Sequence, residues 1–200
     1  MPASPAKTER TRRHIIERTA PVFNTKGYAG TSLQDLTAAT GLTKGSIYGN
    51  FENKDAVALA AFDHNFERVT AYLKERIQST ENAVDRLLVY PAVYRQFLKI
   101  PFLQPGCPIL NTATEADDTH PALREKAAGA LAFWKKSVEN QVKRGIERKE
   151  IRKGTAPTRV AAVLMSLVEG AIMQAKLSGK TGTLKEAMDF LEEYLKGLRP

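Results

Sequence analysis

Cysteine is almost absent from this 200-residue sequence, since Cys107 is the single one. One thiol cannot form an intramolecular disulfide, so packing must stabilise the fold. Long hydrophobic runs are also lacking: none reaches the roughly 18 residues that a membrane-spanning helix needs. The N-terminus, MPASPAKTERTRR, has no apolar centre of the kind found in secretory signals. These absences predict a cytoplasmic protein with no membrane partner.

Motifs of catalysis and metal binding are missing as well. The three histidines, His14, His64 and His120, show no metal-ligand spacing, and there is no glycine-rich phosphate loop or pattern of nucleophile and base. We therefore expect no metal, no cofactor and no enzymatic activity. An enzyme that uses a cavity of a helical domain is the alternative, and it has no motif in its favour.

Positive charge is in excess over the whole chain. The net charge is +8, and residues 1–54 carry an excess of four positive charges, half of the total in about a quarter of the length. Such a balance favours a polyanionic partner. A second basic stretch, Lys143–Lys153, means that charge alone does not select the binding end.

Apolar residues recur at spacings of three and four throughout, and no stretch alternates over the length of a strand. This periodicity predicts an all-α fold, including a helix over Ala83–Leu98 and a short one from about Pro108 to Ala116. We expect two domains: an N-terminal three-helix domain over residues 1–52, and a larger helical domain over 53–200.

The segment Ser32–Tyr48 has the spacing of a helix-turn-helix. Leu36 and Ile47 are predicted to be buried, and Gly41 to form the sharp turn between two short helices. The polar side chains of the second helix then face outwards, where they can approach a phosphate or a base edge in the major groove of DNA.

The run TSLQDLTAATGLTKGSIYGNFENKDAV resembles the signature of the TetR family of bacterial repressors. The resemblance implies a homodimer that binds double-stranded operator DNA of palindromic sequence. It also implies a set of DNA-contacting residues: Thr31, Ser32, Thr43, Lys44, Gly45, Ser46, Tyr48, Asn50 and Lys54. Ser32 and Lys54 would hold phosphates, whereas Thr43–Tyr48 would form the reading surface.

Two positions depart from the family pattern, which usually has an aromatic residue and then histidine after the tyrosine. This chain has Gly49 and Asn50 there, so the groove contacts at that end differ. The alternative role of Tyr48 is packing in the core. The alternative for Lys54 is a solvated charge at the start of a helix. For the whole protein, a non-specific architectural DNA-binding protein is the alternative within the DNA-binding class.

The resemblance further implies that the last two long helices, at about 157–177 and 184–198, form the dimer interface. Simple burial within one chain is the alternative for these apolar faces. An unidentified small-molecule effector would bind among the helices of the larger domain. The candidate walls of its pocket are Tyr90, Tyr94, Phe97, Phe102, Trp134 and Met165, although aromatics at helical spacing are more often core residues.

Cys107 precedes Pro108, a good first residue of a helix, where the free N–H groups and the helix dipole favour a thiolate. The run GCPILN resembles a TetR branch whose members respond to electrophiles or oxidants through a cysteine. Cys107 is therefore a candidate redox sensor for a reactive electrophile. The alternative is an inert packing residue.

Overall fold

The computed structural model describes the backbone of residues 5–200 and the side chains from residue 8 onwards. Nine α-helices and no strand occur in this part of the chain, so the all-α prediction is confirmed. The helices are α1 (Pro5–Lys26), α2 (Leu33–Thr40), α3 (Lys44–Tyr48), α4 (Lys54–Gln78), α5 (Ala83–Tyr94), α6 (Pro108–Ala116), α7 (Pro121–Glu147), α8 (Pro157–Ser178) and α9 (Gly182–Lys196).

The helices form two compact units. The first comprises the described residues up to Arg68 together with Pro108–Ala128, and the second comprises Val69–Cys107 and Gly129–Pro200. The predicted boundary at residue 52 divides the chain differently, because α6 and the first parts of α4 and α7 group with the N-terminal helices.

The core of the first unit joins α1, α2, α3 and the start of α4. Ile15, Leu36 and Ile47 are completely buried, as the helix-turn-helix spacing predicts for the last two. The other members of this cluster are Ala20, Phe23, Phe51, Val57, Ala58 and Ala61. Burying these side chains supplies the free energy that orients helices as short as α3.

In the second unit α8 packs against α9 and α5. The apolar stripe of α8 is buried over its whole length, from Val160 to Ala175, and α9 contributes Leu184, Met188, Leu191 and Leu195. Three large apolar side chains of these two helices nevertheless remain exposed: Met173, Leu177 and Phe190. We call them the exposed α8–α9 residues.

One helix of the described residues, α8, is long and apolar enough to cross a membrane by length and composition. The expectation that no segment reaches this length is therefore wrong for α8. Of the most apolar 18-residue stretch of α8, 44% is buried. A core helix of a globular unit passes the same test.

The helix over Ala83–Leu98 ends earlier than predicted. α5 stops at Tyr94, where the N–H of Arg95 donates to the carbonyl of Pro91, and a 3₁₀ turn follows over Phe97–Lys99. Phe97 is buried in this turn. The predicted helix from Pro108 to Ala116 is confirmed as α6.

Candidate nucleic-acid interface

Side-chain hydrogen bonds define the start of α2. The Ser32 hydroxyl accepts from the N–H of Asp35 at 3.1 Å, and the Asp35 carboxylate accepts from the N–H of Ser32 at 2.8 Å, which forms a reciprocal capping box. Lys26 lies 2.5 Å from the same carboxylate. The hydrogen bond from Lys26, with those from Ser32, holds the pKa of Asp35 well below its usual range. This network fixes the orientation of α2 on α1.

The turn to α3 depends on Gly41, whose φ of 68° is left-handed and whose N–H donates to Thr37 at 2.9 Å. Thr43 then caps α3 by accepting from the N–H of Ser46 at 3.2 Å. Thr43, Lys44 and Gly45 are exposed at the start of α3. The structure therefore presents the first part of the predicted reading surface to solvent.

The other residues of that surface are less accessible. Ser46 and Tyr48 are half-buried, and Tyr48 packs against the core of the first unit. Thr31 is completely buried, and its hydroxyl donates to the carbonyl of Gly27 at 2.6 Å. The structure thus corrects the prediction for Thr31: its side chain braces the turn before α2 and is not presented to DNA.

Asn50 lies at the end of α3, where the family pattern is broken. Its side-chain amide donates to the carbonyl of Ser46 at 2.8 Å, and its own carbonyl accepts from Arg12 at 2.6 Å. The Arg12 guanidinium also stacks 4.1 Å from the centre of the Phe51 ring. The amide of Asn50 therefore closes α3, and Arg12 joins this end to α1.

Lys54, the first residue of α4, contacts an aromatic ring. Its ammonium lies 4.2 Å from the centroid of the Tyr28 ring, and the edge of His120 meets the same ring at 4.5 Å between centroids. The Tyr28 hydroxyl donates to the Asp55 carboxylate, which raises the pKa of Tyr28 to about 12. His120 itself accepts from the N–H of Leu123 at 3.3 Å and so caps α7.

Sequence reasoning missed Tyr28. The sequence does indicate that Tyr28 packs against another group, because it is an aromatic residue within the turn GYAG. The sequence does not show that this partner is the lysine predicted to contact DNA.

In the second unit, several predicted pocket walls form an aromatic cluster. Trp134 lies 6.2 Å from Tyr90 and 6.1 Å from Tyr94 between ring centroids, and all three rings are buried. Phe97 and Met165 are buried too, whereas Phe102 meets Tyr72 at 5.3 Å.

A separate cleft in this unit has a volume of about 410 Å³, and none of the six predicted walls lines it. Its lining combines apolar side chains with a guanidinium, three hydroxyls and an amide. The lining residues are Tyr72, Arg76, Ser79, Thr80, Val89, Ala92, Val93, Gln96 and Ile100.

Cys107 directly precedes α6, whose predicted start at Pro108 is confirmed, and its side chain is buried. Its thiol interacts with the carboxylate of Glu169, whose two oxygens are buried and accept no hydrogen bond from a nitrogen or oxygen donor of the described residues. Burial raises the pKa of Glu169 to about 7, and the thiol opposes part of this rise. Burial also lowers the pKa of Lys176, a change that the charge of Cys107 opposes.

Comparison with protein-family models gives two matches. Residues 15–61 match the model described as bacterial regulatory proteins, tetR family, and residues 83–191 match the tetracyclin repressor-like C-terminal domain. The matched ranges cover the helix-turn-helix and more than half of the chain.

Three known proteins illustrate the similarity. A TetR-family transcriptional regulator from Cytophaga hutchinsonii is 48% identical, with a TM-score of 0.92 over 100% of this chain and 98% of its own. The transcriptional repressor NemR of Escherichia coli K12 is 29% identical over 92% of this chain and 94% of its own. Its reduced form superposes over 96% of this chain and 97% of its own, at a TM-score of 0.81 and 24% identity.

The third is a cysteine mutant of the TetR-family regulator CifR, solved on a 26-base-pair operator DNA. It has a TM-score of 0.80 at 20% identity, over 90% of this chain and 94% of its own. At 20% identity the similarity to CifR shows a shared fold and nothing further.

Proposed function

Because the chain belongs to the TetR family of bacterial regulatory proteins, we propose that it represses transcription as a homodimer on a palindromic operator. The observation that carries the proposal is the exposed start of α3. Thr43, Lys44 and Gly45 face solvent there, while Ile47 anchors the same helix in the core. An exposed polar helix start on a buried support is the geometry that enters a major groove.

The proposed DNA contacts divide into two classes. Ser32 and Lys54 bind phosphates, which supplies affinity, and the reading surface contacts base edges and phosphates in the groove. The reading surface comprises Thr43, Lys44, Gly45, Ser46 and Tyr48, and the proposed contact Asn50 follows it at the end of α3. The operator complex of CifR supports this class of partner.

Replacing Lys44 by alanine tests the centre of this surface. We expect weaker operator binding, and the slope of log K against log salt should become less steep by about 0.9, because one phosphate contact is lost. Titrating a labelled operator duplex at several salt concentrations measures both effects. Lys143→Ala, in the other basic stretch, is the control. A slope equal to that of the wild type would remove Lys44 from the contact set.

For the dimer, we propose that α8 and α9 pair with their counterparts in a second copy. The exposed α8–α9 residues Met173, Leu177 and Phe190 support this choice, since large apolar side chains at the surface indicate a face that a partner covers. A dimer has two copies of α3, which would enter successive major grooves of a palindromic operator.

We propose that the effector binds the second unit. It would favour a dimer state in which the spacing of the two α3 helices does not match successive major grooves. The aromatic cluster of Tyr90, Tyr94 and Trp134 and the 410 Å³ cleft are its two candidate sites. A ligand releases DNA only if it binds that state better than the DNA-bound state.

Cys107 is the proposed site for a reactive electrophile or oxidant. The carboxylate of Glu169 can accept the thiol proton once it is ionised, above its pKa of about 7. NemR has been solved in a reduced form, and the regulator CifR as cysteine mutants.

Replacing Cys107 by serine tests this role. The variant should bind the operator as the wild type does, but a quinone or peroxide should no longer release it, since a hydroxyl is a far weaker nucleophile than a thiolate. Operator binding with and without each reagent measures the difference. If the reagents release the variant as well as the wild type, Cys107 is a packing residue.

The proposed function as a whole is tested by selecting the genomic DNA that the protein binds, and then screening small molecules and oxidants for release. If the protein is the proposed repressor, the selected DNA contains a palindromic sequence and at least one compound releases it. A non-specific architectural protein would bind palindromic and random duplexes about equally and would respond to no effector.

A further inference from the structure

The turn between α1 and α2 holds a carboxylate from a distant helix. The N–H of Tyr28 donates to one oxygen of Glu115 and the N–H of Ala29 to the other, each at 2.7 Å. Glu115 lies in the last turn of α6. We call this arrangement the Glu115 clamp.

Backbone conformation makes the clamp possible. Gly27 has a φ of 73°, a left-handed conformation that turns the following N–H groups towards one point. The Glu115 carboxylate also occupies the space that a side chain at Gly27 would need. Two charge-assisted hydrogen bonds to adjacent N–H groups fix both the position and the direction of the turn.

A second set of hydrogen bonds supports the same docking of α6 on α1. The side-chain amide of Asn111 donates to the backbone carbonyl of Asn24 at 2.9 Å and to its side-chain oxygen at 3.1 Å. Asn111 and Glu115 are four residues apart on α6, so they lie on one face of that helix. The end of α1 and the turn after it are therefore held at two points.

The clamp holds the backbone that carries the Tyr28 ring, and the ring contacts Lys54. From the observed distance of 4.2 Å, the ammonium of Lys54 is within the range of a cation–π interaction. A free lysine loses much rotamer entropy when it binds a phosphate. A lysine already held on a ring has lost part of that entropy before DNA arrives.

We infer that Glu115 and Tyr28 are positioning residues for DNA binding, which hold Lys54 where it meets a phosphate. The inference rests on the proposed function, because it assumes that Lys54 contacts the operator. Neither positioning residue touches DNA in this scheme: Glu115 acts through Tyr28, and Tyr28 acts through Lys54.

The test is a double-mutant cycle between Glu115→Gln and Lys54→Ala, measured as operator affinity at several salt concentrations. Glutamine keeps one acceptor but places an amide donor against the second N–H group. Alone, Glu115→Gln should weaken binding by several-fold and make the salt slope less steep, by up to about 0.9, the amount for one phosphate. In the Lys54→Ala background it should change neither quantity.

Asp118→Asn is the matched control, since it removes the same charge from an exposed residue three positions further on. It should leave the slope unchanged. An unchanged slope for Glu115→Gln, or losses that add fully in the double variant, would overturn the inference, because a purely structural residue destabilises the unit without regard to Lys54.

If Glu115→Gln does not fold, Tyr28 supplies the same test. Tyr28→Phe keeps the ring under Lys54 and should retain the wild-type slope, whereas Tyr28→Leu removes the ring and should lose one phosphate contact. Equal slopes for the two variants contradict the inference. Failure of the proposed function is distinguishable, because then the wild type selects no operator or Lys54→Ala alone leaves the slope unchanged.

Discussion

Gly45→Glu is expected to weaken operator binding by about 100-fold, the largest effect on function that we foresee, because opposing like charges cost several kcal/mol. Gly45 is exposed at the start of α3, and a Cβ there would meet nothing closer than the Thr43 hydroxyl oxygen at 4.0 Å. The new carboxylate would face the phosphates without disturbing the packing of the first unit. Titration of an operator duplex measures the loss.

Gly129→Glu provides the matched control. Gly129 is also an exposed glycine within a helix, and a Cβ there meets nothing within 4 Å. The two variants have the same net charge, so a change in overall charge affects them equally. If both weaken binding to the same extent, or if Gly45→Glu binds as the wild type does, α3 is not the reading helix.

Glu169→Gln should have the largest effect on stability. The pKa of Glu169 is raised from 4.5 to about 7 in the folded chain, so between these values the folded state binds a proton that the unfolded state has released. Stability from this residue is therefore greatest below pH 4.5 and falls as the pH rises to 7. The total loss is about 3 kcal/mol, from 1.36 kcal/mol for each pKa unit.

Glutamine cannot ionise, so the variant avoids this loss. Its free energy of unfolding relative to the wild type should increase by about 3 kcal/mol from pH 4.5 to pH 8, at one fixed protein concentration. Urea denaturation at each pH measures the difference. Glu186→Gln, at an exposed position on α9, should show no such increase. Parallel curves for wild type and Glu169→Gln would mean that Glu169 is not buried in solution.

Several features of the first unit could be predicted because their causes lie within a few residues. The capping pair Ser32 and Asp35, the turn at Gly41 and the apolar positions Leu36 and Ile47 all follow from spacing along one segment. Hydrogen bonds of caps and turns join residues three or four apart, so the sequence specifies them directly. The start of α6 at Pro108 belongs to the same class.

Other features depend on groups that are distant in sequence. The Glu115 clamp joins residues 87 positions apart, and no local pattern indicates that the end of α6 meets the turn after α1. The grouping of α6 with the first unit has the same cause, as does the buried position of Thr31, which the family resemblance placed among the DNA contacts. Phe102 in the second unit is a further example, because the ring that it contacts belongs to Tyr72, 30 residues earlier in the chain.

The sequence by itself thus determined the helical class, the helix-turn-helix and the polar start of α3, since propensity, capping and periodicity act over one or two turns of a helix. Only the tertiary structure decided which polar groups are buried and what they meet: Lys54 on Tyr28, Tyr28 held by Glu115, and Glu169 beside Cys107. The physical reason is that a desolvated charge or a cation–π contact depends on three-dimensional proximity, which residues far apart in the chain acquire only through packing.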